Sequence, residues 1–275
     1  MNKYGICRLL GIATGGLAAM LIPTAAEADS VTQPGFTTGI PLYAPALEGL
    51  YLIAIPWISG IKSEPETTIK AGTPFLFYQS SLVIAKAKIS AVLAPVYVDV
   101  TRKGGRHTRG FYNTYVGAQA TWDLGNHWGA GLRASGWIKQ GGKLAKSFWT
   151  IEPRAGVTYF NGKTHFTANL IYGIPLQSDN RRTAPQYTNL DLTLTKSINK
   201  LELGAIAFAS ADTTRPFSGY KKQSQFAAGP IIGYTFGKLS AQLKLTTDLM
   251  QEDYGGKERR IQANVTIPLW MKSSS

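Results

Sequence analysis

Two stretches near the end of the chain decide the fold: residues 238–251 (KLSAQLKLTTDLMQ) and residues 257–270 (KERRIQANVTIPLW). Apolar and polar side chains alternate along both, as where Leu243 and Leu245 flank Lys244. Successive side chains of a β-strand point to opposite faces. Each stretch is therefore predicted to be a strand with one face in an apolar medium and the other against polar groups.

The same alternation recurs along the chain and predicts twelve strands of ten to fourteen residues. Strands of soluble proteins usually have five or six residues, whereas a tilted strand that crosses a membrane needs about nine to eleven. The charged fraction is 16%, below the usual quarter of a soluble domain. The predicted strands are residues 50–59, 73–84, 87–100, 111–122, 127–139, 147–160, 164–177, 186–198, 200–213, 224–236, 238–251 and 257–270.

The connections between these strands alternate between short and long. Asn161-Gly162 is a short one and has the residues preferred in a type I′ hairpin, whereas residues 60–72 and 101–110 are long. Outer-membrane barrels have short periplasmic turns and longer external loops. Because a bilayer allows no open sheet edge, the sequence predicts an all-β fold, a closed transmembrane antiparallel up-and-down barrel in the outer membrane.

The N-terminal residues have the pattern of a cleaved signal peptide. Lys3 and Arg8 precede an apolar stretch, and Ala26-Glu27-Ala28 is a small-x-small cleavage sequence. The predicted division is residues 1–28 as the signal peptide, 29–48 as a lead-in or a lumenal plug, 49–271 as the barrel and 272–275 as a tail. Cys7 is the only cysteine, so the mature chain is predicted to have no thiol and no disulfide. An uncleaved N-terminal anchor is the alternative.

Strand alternation also predicts which side chains face the barrel interior. If Leu132 and Ile151 face lipid, the opposite parity lines the lumen. One reading of this set is a charged constriction that filters solutes, and the other is an ionic network that only braces a narrow barrel. The predicted lumen-lining residues are Arg133, Glu152, Arg154, Asn169, Asp191, Glu202, Lys244, Asp248 and Arg260.

Basic residues concentrate in the long connections, in a chain whose formal net charge is +13. Such loops suit the phosphates of lipopolysaccharide and other outer-membrane lipids, or anionic solutes at a pore mouth. Solvated charge without a partner is the alternative. Nucleic-acid motifs are absent, so no nucleic-acid partner is predicted. The basic residues assigned to external loops are Arg102, Lys103, Arg106, Arg109, Arg181, Arg182, Lys221 and Lys222.

The sequence gives little support for catalysis. Its three histidines, His107, His127 and His165, are scattered, and none lies on the lipid-facing parity beside a serine two residues away. A nucleophile needs its base within hydrogen-bond reach. We therefore predict no enzyme, no metal site and no cofactor.

Four stretches resemble the outer-membrane family described as a putative meta-pathway of phenol degradation protein: 147–161 (SFWTIEPRAGVTYFN), 165–180 (HFTANLIYGIPLQSDN), 225–245 (QFAAGPIIGYTFGKLSAQLKL) and 261–270 (IQANVTIPLW). The resemblance implies a monomeric transporter-type barrel that takes up small hydrophobic or aromatic compounds. One departure is that the strand alternation places Met271, and not the aromatic Trp270, on the apolar face at the end of the chain.

Pattern and resemblance together predict an outer-membrane channel or facilitator. Small, hydrophobic or aromatic solutes would cross it passively through a polar, charged lumen. The alternative is a structural or lipopolysaccharide-binding surface barrel whose lumen is blocked.

Overall fold

A computed structural model describes residues 31–63, 65–177 and 183–272 of the chain. The predicted signal peptide lies outside the described residues. In the described part, no helix is long and apolar enough to cross a membrane. The strands are β1 (Gly49–Ile61), β2 (Thr67–Ile84), β3 (Ala87–Ala94), β4 (Tyr97–Arg102), β5 (Arg106–Phe111), β6 (Tyr115–Gly125), β7 (Trp128–Trp137), β8 (Trp149–Ile151), β9 (Arg154–Phe160), β10 (Thr164–Leu176), β11 (Tyr187–Ile198), β12 (Leu201–Asp212), β13 (Ser224–Phe236), β14 (Leu239–Glu252) and β15 (Glu258–Met271).

These segments form one closed antiparallel barrel. Pairing follows chain order except where a strand is interrupted, and β1 closes the sheet by pairing with both β2 and β15. Three barrel strands are interrupted, so that β3 continues into β4, β5 into β6 and β8 into β9. Counting each interrupted pair as one strand gives twelve, and the predicted transmembrane barrel of twelve strands is confirmed.

Prolines account for two of the three interruptions. Pro95 lies between β3 and β4, and Pro153 lies between β8 and β9. Proline has no N–H to donate to a ladder and is confined to edges, strand ends and irregular positions. The wall continues past both breaks because β2 pairs with β3 and β4 in turn, and β10 pairs with β9 and β8.

Two of the predicted long connections are wrong in length. Residues 60–72 are mostly strand, because β1 runs to Ile61 and β2 begins at Thr67. Residues 101–110 are a hairpin in which β4 and β5 pair as far as Arg102 and Arg106. At both positions the strands extend beyond the part of the barrel that faces lipid. Both strand faces are polar there, so the sequence shows no alternation by which the strand could be recognised.

The outer face of the wall is apolar, whereas the inner face carries most of the buried polar side chains together with an apolar cluster that includes Ile55, Phe75 and Val92. Leu132 is 56% exposed on the outside, whereas the neighbouring Arg133 is 2% exposed inside. A β-bulge where β1 pairs with β15 interrupts the inward–outward alternation locally. Leu50 pairs with Trp270, but the next residue, Tyr51, pairs with Pro268. The bulge leaves Leu269 without a partner on β1, and Trp270 is exposed on the outer face.

The chain preceding the barrel lies inside it. Residues 31–43, here called the lumenal segment, are almost all buried and hydrogen-bond to inward side chains of β6, β7, β9, β10, β11, β14 and β15. Residues 44–48 lead from it to Gly49, and the Glu48 carbonyl accepts the N–H of Lys272 at the inner end of the barrel. We call the end with the short turns the inner end and the opposite end the outer end.

Candidate functional site

The lumenal segment is bound most directly by Asp191, an inward residue of β11. One carboxylate oxygen accepts the N–H of Gly35 at 2.8 Å. The other accepts the N–H of Thr37 at 2.9 Å and its hydroxyl at 2.6 Å. Gly35 has a φ of 78°, and a Cβ there would lie 2.4 Å from the Phe208 ring. Glycine is therefore required for the segment to turn this close to the wall.

A second anchor involves Lys244, which is buried on β14. Its ammonium donates to the Thr38 carbonyl at 2.8 Å and to the Asn264 side chain at 2.9 Å. The Asn264 amide donates to the same Thr38 carbonyl at 3.0 Å. The lysine thus keeps hydrogen bonds in the interior, which a buried ammonium requires.

Glu202 reaches the lumenal segment through Gln242. The Gln242 amide donates to the Gly39 carbonyl at 3.0 Å and to the Glu202 carboxylate at 2.9 Å. The same carboxylate accepts the Thr195 hydroxyl at 2.6 Å. Glu202 therefore holds Gln242 in the orientation that binds the segment.

Tyr43, the last residue of the lumenal segment, fits a notch made by glycines on β7 and β9. A Cβ at Gly131 or Gly156 would lie 2.2 Å or 2.4 Å from the Tyr43 ring, and a Cβ at Gly129 would lie 1.9 Å from the Tyr43 carbonyl oxygen. The Tyr43 hydroxyl donates to the Asn169 side chain at 2.7 Å. Inward positions without side chains thus make room for the segment.

The start of the lumenal segment meets a buried ion pair at the β8–β9 break. Glu152 forms a salt bridge with Arg154, whose Nε lies 3.0 Å from the carboxylate. The other Glu152 oxygen accepts the hydroxyl of Thr32 at 2.5 Å and that of Tyr187 at 2.6 Å. The indole N–H of Trp137 donates to the same oxygen at 3.2 Å.

A second ion pair lies across the lumen, on β15. Arg260 donates to Glu258 at 2.8 Å and also hydrogen-bonds to the Pro34 carbonyl of the lumenal segment. Asp248 accepts the Glu258 backbone N–H at 2.8 Å and the Gln225 amide at 2.8 Å. Both carboxylates therefore have partners despite their burial.

All nine predicted lumen-lining residues lie inside the barrel in the structure. Eight are buried, and the Glu202 side chain is 19% exposed. Arg133 hydrogen-bonds to the wall, with its Nε donating to Gln119 at 2.9 Å. Gln119 in turn donates to the Leu42 carbonyl of the lumenal segment at 2.8 Å. The charges that the sequence placed inside thus form the cradle of this segment.

Above the lumenal segment, at the outer end, lies a cavity of about 180 Å³, here called the outer cavity. Its walls are largely apolar, and the segment itself supplies Val31 and Phe36. Tyr254, in the turn after β14, is buried against the cavity, and its hydroxyl has no hydrogen-bond partner within the described residues. Burial raises the pKa of this phenol, so it is neutral. The other apolar and aromatic lining residues are Trp57, Ile61, Ile69, Val96, Val98, Val100, Tyr112, Trp137 and Leu144. The polar lining residues are Gln33, Ser63, Thr67, Arg102, Lys146 and Glu258.

Sequence reasoning missed the outer cavity because its lining comes from distant parts of the chain. It also missed Glu258 and Tyr187, although both bind charged partners in the lumen. One signal was available for the notch: Gly129 and Gly131 both fall on the inward parity of β7. Glycine in a strand interior marks a place where another backbone or a ligand approaches closely.

Those basic residues of the predicted external loops that the structure describes lie at the outer end, but three of the four between residues 102 and 109 belong to strands. Arg102 ends β4, while Arg106 and Arg109 belong to β5. Only Lys103 lies in the turn, 3.7 Å from Glu66. Lys221 and Lys222 are exposed in the connection after β12, and Arg181 and Arg182 lie outside the described residues.

The histidines do not form a common site. His107 contacts Asp99 at 2.9 Å on the β4–β5 hairpin, and His127 packs edge-on against Tyr159 at an inner turn. His165 is buried with its Nε2 2.8 Å from the Thr167 hydroxyl. Among the described residues, no group of three or more His, Cys, Asp and Glu side chains could hold a metal ion.

Comparison with known proteins places the chain in a family. The family model described as "Putative MetA-pathway of phenol degradation" matches residues 58–261. The chain belongs to this family. No curated protein matches the sequence.

Two solved structures are similar to this chain in fold. An outer membrane channel from Pseudomonas putida F1 has a TM-score of 0.70 at 13% identity, covering 82% of this chain and 97% of the channel. The NanC porin has a TM-score of 0.50 at 9% identity, covering 79% of this chain and 100% of the porin. At these identities the likeness concerns the barrel fold alone. The family member is thus an outer-membrane β-barrel of porin-like architecture.

Proposed function

We propose that this barrel is an outer-membrane channel or facilitator for small hydrophobic or aromatic solutes, which it receives in the outer cavity. The observation that carries the proposal is a largely apolar cavity at the outer mouth of the barrel, above the lumenal segment. Membership of the phenol-degradation family agrees with an aromatic solute. The proposal includes no catalytic step.

The size of the outer cavity suits one aromatic ring. A protein cavity of about 150 Å³ with apolar walls binds benzene, and the outer cavity measures about 180 Å³. Aromatic rings of Trp57, Tyr112 and Trp137 line it. The Tyr254 hydroxyl gives a bound solute one polar partner, which favours a ring with a hydroxyl or carboxylate over a plain hydrocarbon.

The lumenal segment governs passage beyond the outer cavity. It crosses the lumen between the cavity and the inner end and is hydrogen-bonded on several sides. A solute can therefore descend only if part of this segment moves. We propose that residues 31–43 act as a gate, which replaces the open polar path predicted from strand alternation.

Calorimetric titration of the purified protein in detergent micelles with phenol tests solute binding. Val98→Trp fills the outer cavity and should abolish the heat released by specific phenol binding. Val83→Trp adds the same side chain to the exposed outer face and should leave it unchanged. Equal heats for wild type and Val98→Trp would mean that phenol only partitions into the micelle.

A second candidate is a structural or surface-binding barrel, and the filled lumen favours it. Its basic outer end would then bind lipopolysaccharide as the main activity. Replacement of Arg102, Lys103, Arg106 and Arg109 by serine should abolish polyanion binding while leaving the barrel folded. Conductance of zero in planar bilayers, for wild type and for variants that loosen the lumenal segment, would favour this candidate over a channel.

The proposed route to the outer membrane is secretion with cleavage after Ala28, and the proposed state is a monomer. N-terminal sequencing of the protein from outer-membrane fractions should begin at Asp29. A mature protein that retains Met1 would support an uncleaved anchor instead. Light scattering in detergent gives the oligomeric state.

A further inference from the structure

The outer wall carries a groove of about 620 Å³ that is separate from the lumen, here called the wall groove. It crosses β13, β14, β15 and β1. Most of its lining residues are on the lipid-facing parity, and Ile58, Leu245 and Ile261 among them are exposed. A closed barrel wall is convex, so a concave apolar area on it needs a cause.

Strand pairing shows how the wall groove is built. Ile261 pairs with Ile58 on one side and with Leu245 on the other, which forms an apolar row across three strands. One position nearer the outer end on the same face, Arg259 pairs with Gly60 and with Thr247. The groove therefore has apolar walls and a guanidinium at its outer end.

Small residues and a ladder gap explain the concavity. Gly60 and Ala228 bring no large side chain to the outer face, and a Cβ added at Gly60 would meet no atom within 4 Å. Pro230 cannot donate to β14, and the ladder between β13 and β14 skips the positions beside it. The small residues thus leave a depression in the outer face, because the surrounding outward positions carry long apolar side chains.

The charge at the outer end of the wall groove has no counterion among the residues that the structure describes. Within the described part of the chain, no carboxylate forms a salt bridge with Arg259, which is exposed beside an apolar surface. Two other cations of the wall differ, since Lys70 and Arg109 are the two cross-strand neighbours of Asp99. An exposed cation at the membrane interface attracts lipid phosphates.

We propose that the wall groove binds an anionic lipid of the outer leaflet, a phosphorylated glycolipid such as lipopolysaccharide, with an acyl chain in the groove and a phosphate on Arg259. The acyl chain covers Ile58, Leu245 and Ile261, while the small residues give it depth. The phosphate supplies the counterion that Arg259 lacks. This lipid site is independent of solute binding in the outer cavity.

Native mass spectrometry of the full-length protein, titrated in detergent with diphosphoryl lipid A, tests the proposal. Wild type should hold one lipid tightly. Arg259→Ser should weaken this binding about fivefold, as expected for one interfacial cation. Gly60→Leu fills the groove without a backbone clash and should abolish the tight site.

Matched controls separate the groove from general lipid contact. Gly72→Leu places the same side chain at another open wall position, and Lys257→Ser removes a nearby exposed charge outside the groove. Both should bind lipid A like wild type. The proposal is overturned if Arg259→Ser binds as wild type does, or if Gly60→Leu and Gly72→Leu weaken binding equally.

Two further arms identify the ligand. Phosphatidylcholine should bind several-fold more weakly than lipid A, and inorganic phosphate should neither bind detectably nor compete. Equal binding of phosphatidylcholine would remove the role of Arg259, and competition by inorganic phosphate would remove the role of the acyl chain. If Gly60→Leu does not fold, the comparison of Arg259→Ser with Lys257→Ser decides the outcome.

Discussion

Asp191→Ala should loosen the lumenal segment and raise the conductance of the barrel. The carboxylate accepts three hydrogen bonds from the segment, two from Gly35 and Thr37 amides and one from the Thr37 hydroxyl. A hydrogen bond to a charged group contributes about 1.5–3 kcal/mol net. Because the freed donors become hydrated when the segment moves, the lower figure applies, and the three bonds together contribute about 4–5 kcal/mol.

That free energy corresponds to a factor on the order of a thousand in the equilibrium between the seated and displaced segment. Planar-bilayer recordings should therefore show open events in Asp191→Ala that are rare or absent in wild type. Asp212→Ala is the matched control, since its carboxylate binds Tyr220 and Gln223 at the outer end and does not contact the segment. It should conduct as wild type does.

The other anchors could hold the segment after Asp191 is removed, so a second variant is needed. Asp191→Ala combined with Lys244→Ala removes the two charged anchors of residues 35–38 and keeps the net charge unchanged. It should conduct more often than either single variant. Wild-type conductance in this double variant, with a folded barrel by circular dichroism, would refute the view that residues 31–43 are the gate.

Three further predictions concern the lumen and the outer cavity. Gly131→Ala should lower the melting temperature, because the added Cβ meets the Tyr43 ring. In a Tyr43→Ala background the same change should have little effect, and additive losses would show that Gly131 does not make room for Tyr43. Glu152→Ala should cost about 3–5 kcal/mol by leaving Arg154 buried without its carboxylate, and adding Arg154→Leu should recover part of the melting temperature. Tyr254→Phe should weaken phenol binding about fivefold and leave benzene binding unchanged in calorimetry, whereas an equal loss for both would place the phenol away from this hydroxyl.

Local patterns predicted most of the wall. The inward positions of Arg133 and Lys244 follow from the residues beside them, because neighbouring strand residues point to opposite faces. Pattern failed where strands leave the apolar band, as at Thr67 and Arg102, since both faces there are polar. The pattern also failed to place Trp270 on the outer face. A β-bulge opposite Leu50 shifts the alternation there, and the bulge arises from pairing with β1, which β15 alone does not encode.

The contents of the barrel could not be predicted in the same way. Residues 29–48 remained either a lead-in or a plug, because the sequence there has turn residues but no period. The hydrogen bond between Gly35 and Asp191 joins residues 156 positions apart. The outer cavity likewise combines Phe36, Trp57, Val98 and Tyr254, which belong to four different stretches of chain.

The sequence by itself determined a rolled sheet with an apolar outside, a polar inside and twelve crossings. The two-residue period that encodes this arrangement is a local property, visible within about ten consecutive residues of a strand inside the apolar band. Only the tertiary structure decided that the chain fills its own lumen, that Asp191 and Lys244 bind backbone and not solute, and that small residues leave a groove on the wall. Those outcomes depend on which distant groups meet once the sheet closes, and a buried polar group accepts whichever partner satisfies it.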